Sequence, residues 1–275
     1  MVPALDAAGV RAEPRTWDDV SVSWHEYALV VVRSTWDYSD RRDAFVGWCA
    51  SLGHVLNAAH VIEWNTDKRY LRELEAAGVP CVQTAWVHPG DAVSPAALPD
   101  GEVVVKPAIS AGSRDTERHA DARSAAALHH ITRLLDAGRT VMVQPYVSTV
   151  DAHGETALVY FDGAYSHAIR KDAILTGPGV ATDRLFALER IAPAEPTPSE
   201  RALAEDVLDV LQWPRGELLY ARVDVVRGSN GRPQLLELEL TEPSLFLGES
   251  RGAAARFAAA IARRVEPDGS SRMDA

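Results

Sequence analysis

Residues 217–244, ELLYARVDVVRGSNGRPQLLELELTEPS, constrain the fold more than any other stretch. Two apolar-alternating runs flank Ser229-Asn230-Gly231, and an Asn-Gly pair between such runs predicts a β-hairpin. Successive strand side chains point to opposite faces, so Arg222 and Asp224 share one face and Val223 and Val225 the other. On the second strand Glu237 and Glu239 share a face, with Leu236, Leu238 and Leu240 opposite. A two-residue loop at Asn230-Gly231 sets Asp224 across from Glu237, and a four-residue loop keeps that parity. Like charges facing one another across strands destabilise a sheet. A cation is therefore expected among Asp224, Glu237 and Glu239, and an oxygen-only set favours Mg2+ over zinc. A half-exposed hairpin with a solvated acidic face fits the same pattern.

A net charge of −11 argues against nucleic acid and against anionic membrane surfaces as partners. No run approaches a membrane span, and the N-terminus lacks a signal-peptide pattern. Cys49 and Cys81 show no metal or redox spacing, so a reducing cytoplasm is the expected location. The nine histidines show no paired-ligand spacing, and His129-His130 reads as an ordinary part of a helix. The cations are more informative. Against 25 arginines there are three lysines, Lys68, Lys106 and Lys171. A chain that prefers arginine this strongly keeps lysine where a compact ammonium is hard to replace, as on phosphate.

Along the chain, residues 3–8 read as a helix, 10–17 and 28–32 as strands, and 41–51 as a helix. That rhythm fits a small parallel α/β unit whose first strand is expected to lie upstream of Met1. A helix over residues 65–77, capped by Asn65 or Thr66, would hold Lys68 in its first turn, facing an anion. Strands follow at 79–87 and 102–106, then a small-residue, hydroxyl-rich loop at 108–114. That loop has neither P-loop nor dinucleotide-fold spacing. A helix at 121–137 precedes a strand at 141–147, whose proline suits an edge or hinge. A second hairpin, 154–161 with 164–171, turns at Asp162-Gly163. A loop over 175–183 could act as a lid, and Thr197-Pro198-Ser199-Glu200 is a capping box opening a helix to about residue 211. A last helix spans 252–265.

Taken together, Asn65-Thr66-Asp67-Lys68, Val105-Lys106-Pro107, Gln144-Pro145-Tyr146-Val147, Gly154-Glu155, Ala221-Arg222-Val223-Asp224 and Glu237-Leu238-Glu239 with Thr241 and Pro243 resemble the ATP-grasp superfamily. The likeness is to its glutathione synthetase branch, over residues 61–265. That family usually carries Glu-x-Asn in the last segment, and here Glu239 replaces the Asn. Arg33-Ser34-Thr35-Trp36-Asp37-Tyr38 with residues 236–247 is similar, more narrowly, to a group that includes O-ureido-serine cyclo-ligases of D-cycloserine formation.

The resemblance implies an α/β (α+β ATP-grasp) fold: an N-terminal substrate-side unit (1–62), two subdomains clasping ATP (63–147 and 148–266) and a flexible tail (267–275). It implies an ATP- and Mg2+-dependent ligase (Mn2+ an admissible substitute) that makes an acyl phosphate from a small amino-acid-like carboxylate. A nitrogen then attacks, within the same molecule in the cyclo-ligase reading. An intermolecular amino-acid or peptide ligase and a non-catalytic nucleotide-binding protein are the alternatives. Asp224, Glu237 and Glu239 would hold the metal, Lys68 and Lys106 the phosphates, and Arg222, with Lys171, the transferred phosphoryl group. Ser110, Gly112 and Ser113 would close over the phosphates, Gln144, Tyr146 and Val147 would meet adenine, and Asp151 or Glu155 the ribose or a lysine. On the acceptor side, Arg33 would bind a carboxylate and Asp37 an ammonium, with Trp36, Tyr38, Arg170 and Ser244 completing the pocket. Arg33 and Asp37 pairing with each other across the turn is the structural alternative.

Overall fold

The computed structural model describes residues 1–175, 177–179, 181–182 and 190–265. The N-terminal unit comprises α1 (Val2–Ala7), β1 (Val30–Val31), α2 (Arg42–Ser51), β2 (Val55–Leu56) and α3 (Ala59–Asn65), with β1 and β2 parallel. Its core is aromatic: Trp17 meets Phe45 edge-on at 5.4 Å, and Tyr38 stacks on Phe45 at 5.2 Å. The strand expected over residues 10–17 does not form. Pro14 brings no N–H to a ladder, and Val10 and Ala12 pack instead against the apolar cluster around Phe257.

The single helix expected over residues 65–77 is two, α3 and α4 (Tyr70–Ala76), with Lys68 in the connection rather than in a first turn. The reason lies in Asn65, which caps no helix. Its amide donates to the Leu238 carbonyl (2.8 Å) and accepts from the Leu240 N–H (2.7 Å), fastening this corner to the hairpin.

Next come β3 (Ala85–Val87), β4 (Val103–Pro107), β5 (Thr116–His119), α5 (Ala125–Asp136) and β6 (Val141–Pro145). Then follow α6 (Val150–His153), β7 (Glu155–Phe161), β8 (Ala164–Lys171), β9 (Ala181–Thr182), β10 (Ile191–Ala194), α7 (Pro198–Asp209), β11 (Tyr220–Arg227), β12 (Pro233–Glu239) and α8 (Ala253–Val265). They form two antiparallel sheets, ordered β3-β6-β4-β5-β9 and β10-β8-β7-β11-β12. β6 is internal rather than an edge, and Pro145 is tolerated because it ends the strand. The Asp162-Gly163 turn has positive φ at both residues (49° and 73°), as a two-residue hairpin requires. A side chain on Gly163 would meet the Arg215 backbone at 2.9 Å. The capping box on α7 also forms, with Thr197 and Glu200 each bonded to the other's backbone. The expected lid at 175–183 falls partly, and the tail from 266 wholly, outside the described residues.

The β11–β12 hairpin reaches its expected register by an unexpected route. Residues 228–232 separate the strands, and an odd loop on its own would turn Glu237 and Glu239 to the core face. A bulge corrects the parity. Val225 pairs with Leu235, but Asp224 pairs with Glu237 and Arg222 with Glu239, leaving Leu236 unopposed. Leu235 therefore joins Leu238 and Leu240 in the core, while Leu236, expected there, lines a cavity. β12 is an edge strand, and its free side is closed by Tyr70, whose hydroxyl donates to the Leu238 carbonyl (2.7 Å) and accepts from its N–H (2.9 Å). Farther along, Leu235 bonds the Pro80 carbonyl and the Val82 N–H.

Candidate active site

A cavity of about 540 Å³ lies between the two five-stranded sheets, within the ~300–1,000 Å³ range common for small-molecule sites. Strand alternation puts Arg222, Asp224, Glu237 and Glu239 on its floor, and β4 and β8 bring Lys106 and Lys171 from either side. All three lysines of the chain line it.

Most of these charges are partnered. Arg222 grips Asp224 with two parallel bonds, Nε to Oδ1 at 2.8 Å and Nη2 to Oδ2 at 2.7 Å, and also contacts Glu239. Lys171 Nζ bonds Asp224 Oδ2 at 3.1 Å and pairs with Glu155. Lys68 Nζ donates to the Ser110 carbonyl (2.8 Å) and pairs with Glu237 (3.1 Å). Cations of the protein's own thus stand among the hairpin carboxylates. Lys106 differs: it has no hydrogen-bond or ion-pair partner among the described residues. Burial pulls its ammonium below the ordinary lysine range.

Burial pushes every carboxyl here upward, and neighbours decide the outcome. Arg222 and Lys171 outweigh it at Asp224, which is held well below the usual range, and Lys68 and Lys106 do so at Glu237. At Glu239 burial wins over Arg222 and raises the group to about 7; at Glu155 it wins over Lys171 and raises it to about 8.

The donor set fits a hard divalent cation. Glu237 and Glu239 each have a second oxygen without a hydrogen-bond partner among the described residues. Asp224, only 2% exposed, has both oxygens engaged and offers their remaining lone pairs. Mg2+ takes oxygen ligands of this type.

Most of the residues expected from sequence line the cavity: Ser110, Gly112 and Ser113 on the loop, and Gln144, Tyr146 and Val147 at the end of β6. Glu155, Trp36, Tyr38 and Ser244 join them. Four do not. Asp37 is turned away, accepting from Trp17 Nε1 (3.2 Å) and Arg41 Nη2 (2.5 Å) rather than pairing with Arg33. Asp151 takes the Tyr146 hydroxyl, and Arg170 donates to the His153 carbonyl (3.0 Å). Arg33 is half-buried outside the cavity lining and donates to the Pro243 carbonyl (2.6 Å), anchoring the segment that follows the hairpin.

That segment carries Glu242, which the sequence reading passed over. Glu242 lines the cavity, is buried, and its Oε2 has no hydrogen-bond partner among the described residues. Its place in Thr241-Glu242-Pro243-Ser244, directly beyond the metal-facing glutamates, was the available clue. Asn57 was missed as well; its side chain bonds the Tyr220 and Leu240 carbonyls (2.9 and 2.6 Å), tying the N-terminal unit to the hairpin.

Residues 1–60 match the family described as "D-cycloserine synthetase DcsG, N-terminal domain". The "Cycloserine biosynthesis protein DcsG" of Streptomyces lavendulae is 40% identical, over 97% of this chain and 94% of its own. The crystal structure of D-cycloserine synthetase DcsG superposes with a TM-score of 0.85 at 36% identity, covering 96% of this chain and 93% of that one. A RimK domain ATP-grasp protein from Sphaerobacter thermophilus shares the fold at 18% identity, with a TM-score of 0.64 over 97% of this chain and 94% of that one.

Proposed function

Because the chain belongs to the DcsG family and is an ATP-grasp ligase, we propose that it closes a ring in an O-ureido-serine-like amino acid at the expense of ATP, as a D-cycloserine-forming cyclo-ligase. The observation that carries this reading is the convergence of all three lysines and Arg222 on a cavity floored by Asp224, Glu237 and Glu239.

In this reading the substrate carboxylate attacks the terminal phosphorus of ATP, releasing ADP and forming an acyl phosphate. The ureido nitrogen bonded to oxygen then attacks the acyl carbon and loses its proton as phosphate leaves, closing the ring with the carbamoyl group still on that nitrogen. Hydrolysis of that carbamoyl group to carbon dioxide and ammonia leaves the cycloserine ring. Glu237 and Glu239, backed by Asp224, would hold Mg2+, which when bound would supply neutralisation of phosphate charge. Phosphoryl transfer depends on positioning and charge more than on covalent chemistry from the protein. Lys106, lacking a protein partner, is assigned to a phosphate oxygen, with Lys68 beside it. Arg222 presents fixed donors to charge spread over the transferred group, its orientation set by the bidentate grip on Asp224. Residues 110–113 exclude the water that would hydrolyse an acyl phosphate. The apolar side chains of Val82, Val104, Val226 and Leu236, with the end of β6, form the adenine wall. Residues 63–147 and 148–266 are the two clasping subdomains. On the acceptor side, Glu242 replaces Asp37 as the binder of a substrate ammonium, and Ser244 stands beside it.

ADP release measured with O-ureido-serine as the sole added acid tests the assignment. Turnover without any second amine, accompanied by a cyclic product, is expected. Turnover only with an added amine would make the protein an intermolecular ligase. Tight ATP binding without ADP release from any amino-acid-like acid would make it a nucleotide-binding protein.

A further inference from the structure

Behind the cavity, on the other face of β5, three side chains meet that the proposed ligase reaction does not use. Strand alternation sends Thr116 to the cavity and Glu117 and His119 toward α5, which contributes His130. His119 Nε2 and His130 Nδ1 are 3.2 Å apart, and each is 3.6 Å from Glu117 Oε2. Both histidines are buried, and burial holds both rings below the ordinary histidine range; in the neutral rings one facing nitrogen donates its N–H to the other, and a tautomer change frees the second lone pair for a metal. No histidine spacing announces this cluster; the strand–helix packing makes it.

We propose that Glu117, His119 and His130 form a second divalent-metal site, one that takes Zn2+ or a similar nitrogen-preferring ion and is separate from the oxygen-lined cavity. The argument is geometric. Ligand atoms around a tetrahedral Zn2+ with bonds of ~2.0–2.1 Å stand ~3.3–3.4 Å apart. The triangle here has sides of 3.2, 3.6 and 3.6 Å, so a point ~2.1 Å from all three atoms lies ~0.6 Å out of their plane, close to where a tetrahedral ion sits above three of its ligands. Two imidazoles and one carboxylate suit Zn2+ and not Mg2+, which prefers oxygen. A water completes the shell, reached through Glu117, which is 27% exposed.

The charged neighbours set the strength of the site. Arg133 lies 3.6 Å from Glu117 Oε1, the oxygen not facing the histidines, and is balanced by Asp115 at 3.1 Å, which Arg139 also holds at 2.5 Å. His130 Nε2 has no hydrogen-bond partner among the described residues, so that ring lacks there the outer contact that sharpens many metal-bound histidines. The site is therefore one of modest affinity. It cross-links β5 to α5 and stiffens the wall that carries Thr116.

Titration of Zn2+ into chelator-treated, desalted full-length protein, in excess Mg2+ to occupy the cavity carboxylates, tests the proposal. One Zn2+ per chain is expected, with a rise in melting temperature that Mg2+ alone does not give. Glu117→Gln, an isosteric change at a partly exposed side chain, should weaken Zn2+ binding at least tenfold without altering the metal-free melting temperature. His130→Gln should abolish it. Co2+ in place of Zn2+ should give the visible absorption of a tetrahedral complex, lost in both variants. Absence of saturable Zn2+ binding, or binding of equal affinity in wild type and both variants, overturns the site.

Discussion

The two ends of the cavity are positioned by different means. At the end proposed for the phosphates most charged groups stand on strands, with Lys68 on the α3–α4 connection the exception: Lys106 on β4, Lys171 on β8, Arg222 and Asp224 on β11, Glu237 and Glu239 on β12. A strand fixes which way each side chain points as soon as its register is set. At the acceptor end Trp36, Tyr38, Glu242 and Ser244 stand on connections, and their direction depends on distant bonds such as that from Arg33 to the Pro243 carbonyl. Damage at the first end should therefore be local and chemical, and damage at the second should reach substrate choice before it reaches ATP.

The largest expected effect is at Glu237. Glu237→Gln keeps the shape and the bulge register but removes a metal-facing charge, so ADP release should fall by roughly 10²–10³, as when one preorganised electrostatic group is lost. Circular dichroism and the melting curve should be close to wild type. Wild-type turnover at ordinary Mg2+ would remove Glu237 from the metal set.

Lys106→Ala comes next and carries a double signature. The ATP dissociation constant should rise at least tenfold, or ~1.4 kcal/mol. The melting temperature should change little, because the ammonium has no hydrogen-bond or ion-pair partner among the described residues and its burial, which disfavours the charged form, offsets its longer-range attraction to Glu237. A drop in stability with unchanged ATP affinity would recast Lys106 as structural.

How far the sequence could be read follows the same division. The hairpin, the three lysines and Arg222 were legible because period-two alternation and a skewed cation composition act locally. The parity at Glu237 came out as expected for a reason that sequence did not contain: the odd loop and the bulge at Leu236 cancel. Asn65 was taken for a helix cap because its chemistry suits one; its partners, Leu238 and Leu240, are more than 170 residues away. Asn57 acts through partners more than 160 residues away, and the Glu117-His119-His130 cluster depends on how α5 packs on β5, neither of which local patterning encodes.

At the acceptor end Glu242→Gln is expected to be selective. If Glu242 receives a substrate ammonium, losing one charge-assisted hydrogen bond, worth ~1.5–3 kcal/mol, should raise the Michaelis constant of the acceptor by about tenfold or more. The ATP dissociation constant should stay within about twofold. An equal loss of ATP affinity would show that the two ends of the cavity are not independent.

The smallest effect is expected at Asp37, and it decides where the acceptor wall ends. Residue type and position made Asp37 a natural ammonium binder beside Arg33. In the folded chain its carboxylate is spoken for: Trp17 Nε1 and Arg41 Nη2 donate to it, and Arg41 is held in turn by Asp18 at 2.8 Å. Arg33 is occupied elsewhere, by the Pro243 carbonyl. The Asp37 side chain is 48% exposed, so its ion pair is solvent-screened and contributes little. Asp37→Asn keeps an acceptor for the Trp17 indole and loses only the charge opposite Arg41. The melting temperature should fall by no more than about 3 °C for a chain of this size. Both kcat and the Michaelis constant for the acceptor should match wild type. A raised acceptor Michaelis constant with normal ATP binding would mean that residues 33–38 rearrange toward the cavity when substrate is bound, and the acceptor wall would then extend to the surface turn.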